Sequence, residues 1–151
     1  MKIIIDPGHG GTDPGAVGNG IYESDVVLDV SLKVGNLLEK QGINIIYTRI
    51  DDKKITLDER TSLANLQNAD YFISIHANSG GGTGTETLIY KNGSTAESLA
   101  KVVQKYIVDT LSLKDRGVKV RSDLWVLKRT IMPAILIELA FVDNVNDSKL
   151  L

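Results

Sequence analysis

The stretch KIIIDPGHG, residues 2–10, decides the fold. Three consecutive isoleucines are β-branched and leave no polar side for water, so the strand they form is buried on both faces. That is the habit of a parallel sheet covered by helices. The run stops at Asp6-Pro7-Gly8, where proline cannot continue a ladder and glycine opens a turn. Into that turn the chain delivers His9, one of its only two histidines.

Similar runs recur at INIIYT (43–48), YFISI (71–75), TETLIY (85–90), LWVL (124–127) and AILI (134–137), and each reads as a strand. Between them, Val26, Val27, Val30, Val34, Leu37 and Leu38 repeat at helical spacing, as do Leu99, Val102, Val103, Tyr106, Ile107 and Leu111. Capping boxes at Thr56-x-x-Glu59 and Ser94-x-x-Glu97 announce two helix starts, and Gly42 ends the first helix, which is expected over Ser24 to about Lys40. SGGGTGT (79–85) is a glycine loop between two strands. The expected class is α/β, with a mostly parallel, about six-stranded sheet covered by helices on both faces, in a single domain.

Composition narrows the chemistry. The 151 residues carry a net charge of -2, with no basic stripe, which excludes phosphate-driven binding to nucleic acid. No apolar run approaches the ~20 residues of a membrane span. With no cysteine, a metal must be held by His, Asp or Glu. The start of the chain lacks the basic and small-residue pattern of a secretory signal. The expectation is therefore cytoplasmic synthesis with release by lysis, or a trimmed exported domain.

In a parallel sheet, ligands collect where strands end. His9 follows the first strand, His76 follows YFISI and Glu138 follows AILI. Two imidazoles placed together favour zinc when thiols are absent, and catalytic zinc takes three protein ligands and leaves one position open. Glu23, at the front of the first helix, is the best third ligand because the helix start favours an ionised carboxylate. Asp6, Asp13 and Asp25 are rivals, and Asp6 could instead bond the amides of the glycine turn. Zinc with two neutral imidazoles and one carboxylate keeps a net charge of about +1, which activates water. Glu138, among Ala134, Ile135, Leu136 and Ile137, has surroundings that raise its pKa toward the range of a general base, unless Arg121 or Arg129 pairs with it. The opening loop matches neither phosphate-binding glycine motif.

IIIDPGHGGTDPGAVGNGIYE (3–23), TRIDD (48–52), LDERTSLAN (57–65), SIHANS (74–79) and VLKRTIMPAILIELAFVDNVND (126–147) together resemble the zinc-dependent N-acetylmuramoyl-L-alanine amidases of the amidase-3 type. The resemblance implies one zinc per chain on His9, Glu23 and His76, and Glu138 as the catalytic group. It implies cleavage, in the cell wall, of the amide joining N-acetylmuramic acid to L-alanine in peptidoglycan, as in an autolysin, a spore-related lysin or a phage endolysin. Arg49, Arg60 and Asn65 lie in family-like segments and read as structural; Asn78, two residues past His76, is a candidate substrate contact. Residues 1–151 then form one catalytic domain without the final helix of the family, a monomer unless the uncovered sheet surface pairs two chains. Two other readings stand beside it. One is a metal-independent peptidoglycan glycosidase using Glu23 and Glu138. The other is a non-catalytic wall-binding module.

Overall fold

The computed structural model describes residues 1–151. Its sheet is built from β1 (Lys2–Pro7), β4 (Asn44–Tyr47), β5 (Tyr71–Asn78), β6 (Thr85–Ile89), β7 (Asp115–Val120) and β8 (Ala134–Phe141), in the order β4-β1-β5-β8-β6-β7. A two-stranded ribbon of β2 (Val17–Gly18) and β3 (Ile21–Tyr22) precedes the first helix. Strands β4, β1, β5 and β8 are mutually parallel, whereas β6 and β7 are parallel to each other and antiparallel to β8. The reversal follows from the glycine loop 79–84, which is too short to hold a crossover helix and returns the chain beside β8 on its far side.

Period-two alternation assigns the isoleucines of β1. Ile3 and Ile5 pack with Ile45, Ile75 and Val27 of α1 (Glu23–Glu39), while Ile4 points to the opposite face with Phe72, Leu88 and Leu136. That second face is covered by α2 (Leu57–Leu66) and α4 (Trp125–Arg129) through Ala64, Val126 and Leu127. Helix α3 (Thr95–Leu111) lies on the α1 side, its Ala96 and Ala100 against Ile89, Ile135 and Ile137. A single-turn 3-10 segment, Asp147–Leu150, closes the described chain.

Five of the six expected strands form, and the sixth is elsewhere. LWVL is not a strand: Trp125–Arg129 is helical, burying Val126 and Leu127 on one side, a pattern that a short apolar run shares with a strand. The missing strand is DRGVKV, too polar to signal itself because it is an edge strand, with Gly117 at φ 79° where the register shifts against β6. The Thr56 box forms both of its arms, whereas at Ser94 only the hydroxyl arm forms, because Glu97 bonds the Gly93 amide instead. The apolar stripe of α3 is wider than its contact, leaving Val102 and Tyr106 exposed.

Candidate metal centre and active site

The strands that carry His76 and Glu138 run further than their apolar cores suggest. The ladder between β5 and β8 continues through the pair His76 and Glu138 before a register shift, so both side chains rise from ordered strand, side by side. His9 stands on the β1–β2 loop at φ 56°, a left-handed conformation held from several sides. Arg60 donates to the carbonyls of Pro7 and His9, and Arg49 to those of Pro7, Gly8, Ser24 and Asp51. Both guanidinium groups are buried. They hold the loop and the start of α1 together, so the structural reading of these two residues stands. Asn65 likewise ties α2 to the segment before β8, through Arg129 O and Ile131 N.

Glu23 opens α1 and points back beneath the loop. Its Oε1 lies 3.1 Å from His9 Nε2 and 2.9 Å from His76 Nδ1, and accepts from the Ala77 amide at 3.0 Å; Oε2 accepts from the Ala16 amide at 2.7 Å. One ligand atom from each of His9, Glu23 and His76 falls within 4.8 Å of the others. The donors fit a divalent cation. Two imidazole nitrogens converge on one carboxylate oxygen, and Asp13 Oδ2, 3.0 Å from His9 Nδ1, turns Nε2 inward as an outer carboxylate does for a metal-bound histidine. Space is fitted as closely: a Cβ on Gly8 would lie 2.3 Å from His76 Cε1, and one on Gly15 would lie 2.6 Å from Glu23 Oε2.

Charge in the cluster agrees with the geometry. Burial opposes ionisation of Glu23, but His76 and His9 outweigh it and hold the carboxyl well below the usual range. Burial likewise disfavours a His9 cation, yet Glu23 and Asp13 raise its pKa to about 9. The cluster thus favours positive charge. Glu138 is the opposite case. Burial raises its pKa to about 7, His76 pulls it back, and Glu23 and Glu86 add to the rise. Its Oε2 is buried and makes no hydrogen bond.

The rivals are placed elsewhere. Asp6 accepts from Thr48 Oγ1, Arg60 Nη1 and Ser74 Oγ beneath the loop, so it neither reaches the metal cluster nor bonds the turn amides. Asp25 is exposed, and Asp13 bonds the His9 ring from outside the cluster. Arg121 pairs with Asp123, and Arg129 lies over Trp125 at 4.6 Å, so neither forms an ion pair with Glu138. Asn78 has its Nδ2 on Glu86 Oε1 and its Oδ1 on the Ser79 amide, and its contacts are within the protein. Sequence reasoning missed Glu86 altogether; the alternation in TETLI, which sets it on the same face as Leu88, was the available signal.

A cavity of about 290 Å³ opens over the cluster, lined among others by His9, His76, Lys54, Leu57, Leu124 and Trp125. A larger hollow of about 520 Å³, near Ile131 and the start of α3, contains no histidine or acid. The glycosidase alternative needs a carboxyl that donates a proton beside a second carboxylate, with no metal. Glu23 is ringed by two imidazoles and two amides and is unsuited to either part. A merely structural metal site would be closed, whereas this one faces a cavity.

An open α/β sheet carrying a His-Glu-His ligand set and a desolvated carboxyl at one edge has the architecture of a metal-assisted hydrolase. The chain belongs to the N-acetylmuramoyl-L-alanine amidase family, whose pattern it matches over residues 3–151. It is 40% identical over 151 residues to the sporulation-specific N-acetylmuramoyl-L-alanine amidase of Bacillus subtilis (strain 168), covering 98% of this chain and 59% of that one. It is 40% identical over 158 residues to the endolysin of Bacillus phage SPP1, covering 99% of this chain and 58% of that one. The crystal structure of an N-acetylmuramoyl-L-alanine amidase from Clostridium difficile 630 superposes with a TM-score of 0.92 at 38% identity, over 98% of this chain and 83% of that one. The chain spans about three-fifths of the length of such full-length relatives. No helix is long and apolar enough to cross a membrane.

Proposed function

We propose that the chain is a zinc-dependent N-acetylmuramoyl-L-alanine amidase that hydrolyses the amide between the lactyl group of N-acetylmuramic acid and the L-alanine of the peptidoglycan stem, acting on the cell wall. The observation that carries this reading is the approach of His9, Glu23 and His76 within 4.8 Å beside a carboxyl whose pKa is raised to about 7. Zinc bound by these three side chains would supply a Lewis acid for the carbonyl and lower the pKa of water. Glu138, ionised near neutral pH and without a partner on Oε2, takes the proton of the attacking water. The same carboxyl then passes that proton to the alanine nitrogen as the carbon–nitrogen bond breaks, leaving a lactyl carboxylate and a free amine. Asp13 keeps the His9 ring in its tautomer throughout, and Asn78 we assign to support of Glu86 rather than to substrate.

Tyr71, Ile73 and Leu139, on the sheet face that α1 and α3 share, are only partly buried, so this strip is where two copies would meet if the chain pairs. Light scattering on the present chain tests the consequence, a monomer unless the strip pairs two copies.

The experiment compares wild type with Glu138→Gln for bound zinc and for release of alanine amino groups from purified walls. Retained zinc with activity lost by about 100-fold or more is expected, since general acid–base catalysis contributes about 10²–10⁴. Full wild-type activity in excess chelator, or new reducing sugar ends in place of amino groups, would refute the reading.

A further inference from the structure

Strands β6 and β7 run opposite to β8, so their first residues lie at the same sheet edge as the metal cluster. Glu86 is the direct cross-strand neighbour of Glu138. It is nearly buried, and two cations meet on its Oε2: Arg116 through Nε at 3.0 Å, and Lys119 through Nζ. Its Oε1 is held by Asn78.

We propose that Arg116 and Lys119, anchored on Glu86, form a subsite for a carboxylate on the peptide side of the scissile bond. This rests on the amidase reading above.

Charge is the first argument. Two cations on one carboxylate leave a surplus of one positive charge in a chain whose net charge is -2. Asp115 is turned to Gln104 and the Gly117 amide, and Arg121 is closed by Asp123, so the only neighbouring charge that offsets this surplus is Glu138, when it is ionised. A tie between the edge strand and Glu86 needs only one of the two.

Geometry is the second. Arg116 has its guanidinium 4.9 Å from the centre of the Phe141 ring, and its side chain is 27% exposed. Only Nε bonds within the chain, so Nη1 and Nη2 remain as the planar pair of donors that suits a carboxylate. The group is oriented before any ligand arrives, which lowers the entropy cost of binding.

Reach is the third. Adjacent strands are ~4.8 Å apart. An extended peptide advances about 3.3–3.6 Å per residue. A cationic head fixed on Glu86 therefore stands one to two residues from an amide attacked beside Glu138. The ligand class is a peptide that begins at the alanine nitrogen and bears a free carboxylate on its next residue.

Calorimetry tests this with two short peptides, each L-alanine followed by glutamate linked through its side chain, one with the free α-carboxyl and one with it as the amide. Wild type is expected to bind the carboxylate form about 10- to 100-fold more tightly, the scale of a charge-assisted pair. R116Q should erase this preference while binding the amide form as wild type does, R116K should restore part of it, and K119Q should reduce it without breaking the Arg116–Glu86 contact. Equal binding of both peptides by wild type overturns the proposal, as does an equal loss for both peptides in R116Q and K119Q. Because binding is read without turnover, a preserved preference in a protein that cleaves no muramoyl peptide would sink the amidase reading and leave the carboxylate subsite standing.

Discussion

Replacing Glu138 by Gln should change not only turnover but the pH dependence of stability. The carboxyl is isosteric with the amide, and its pKa is raised from 4.5 to about 7 chiefly by burial. Every tenfold weakening of an acid corresponds to about 1.4 kcal/mol, so ionising this group in the folded chain costs up to about 3 kcal/mol. The sign follows from proton binding. Between pH 4.5 and 7 the unfolded chain has released this proton while the folded chain keeps it, so stability falls as pH rises through that window. Below the window the contribution is fully present; above it the loss is complete and flat. Gln carries no such proton. Urea denaturation of metal-free wild type and E138Q at several pH values should show similar stabilities near pH 4, with the variant gaining as pH rises and leading by up to about 3 kcal/mol at pH 8. A gap that does not vary with pH, or a wild type that gains on the variant as pH rises, would mean that Glu138 is not the desolvated acid described here. The general-base role would lose its foundation with it.

Asp13→Ala removes the carboxylate that orients His9 and should weaken zinc affinity about 10- to 100-fold with the fold intact, read by competition with a chromogenic chelator; unchanged affinity would remove Asp13 from the site. Gly8→Ala places a methyl 2.3 Å from His76 Cε1, so the ring must shift, and zinc affinity should fall with little change in secondary structure by circular dichroism. Arg60→Met leaves Asp6 buried without its counter-charge and should lower stability by about 3–5 kcal/mol in urea denaturation. A loss below about 1 kcal/mol would show that Thr48 and Ser74 suffice to hold Asp6.

Much of the site was legible because it lies on short-range chemistry. An isoleucine run that ends at Pro-Gly names both a strand and the edge at which it stops, and a histidine there becomes informative because the second histidine also follows a buried strand. Glu23 was harder to choose, since Asp6 and Asp13 are equally acidic and closer to His9 in the chain. Only the fold shows that Asp6 is turned into the Arg60 pair below the loop and that Glu23 swings under it from the start of α1. The Asp13 role has a local signal in its spacing of four from His9, yet that spacing distinguishes a ligand from a ligand's support only once the rings are placed.

The polar edge strand and the short helix show the limit from the other side. LWVL is helical where a strand was expected, because burial on one side of a helix and burial within a sheet select the same apolar residues, and DRGVKV is a strand where none was expected, because an edge strand need not be apolar at all. The class of fold, the covered sheet and the residue types able to bind a metal were readable along the chain, since these depend on periodicity and on donor chemistry. Which acid meets the histidines, that Glu138 has no arginine partner, and that Glu86 stands beside it with two cations emerged with the three-dimensional arrangement. Those facts depend on strand order and direction, and the reversal of β6 and β7 beside β8 brings together residues that no local pattern links.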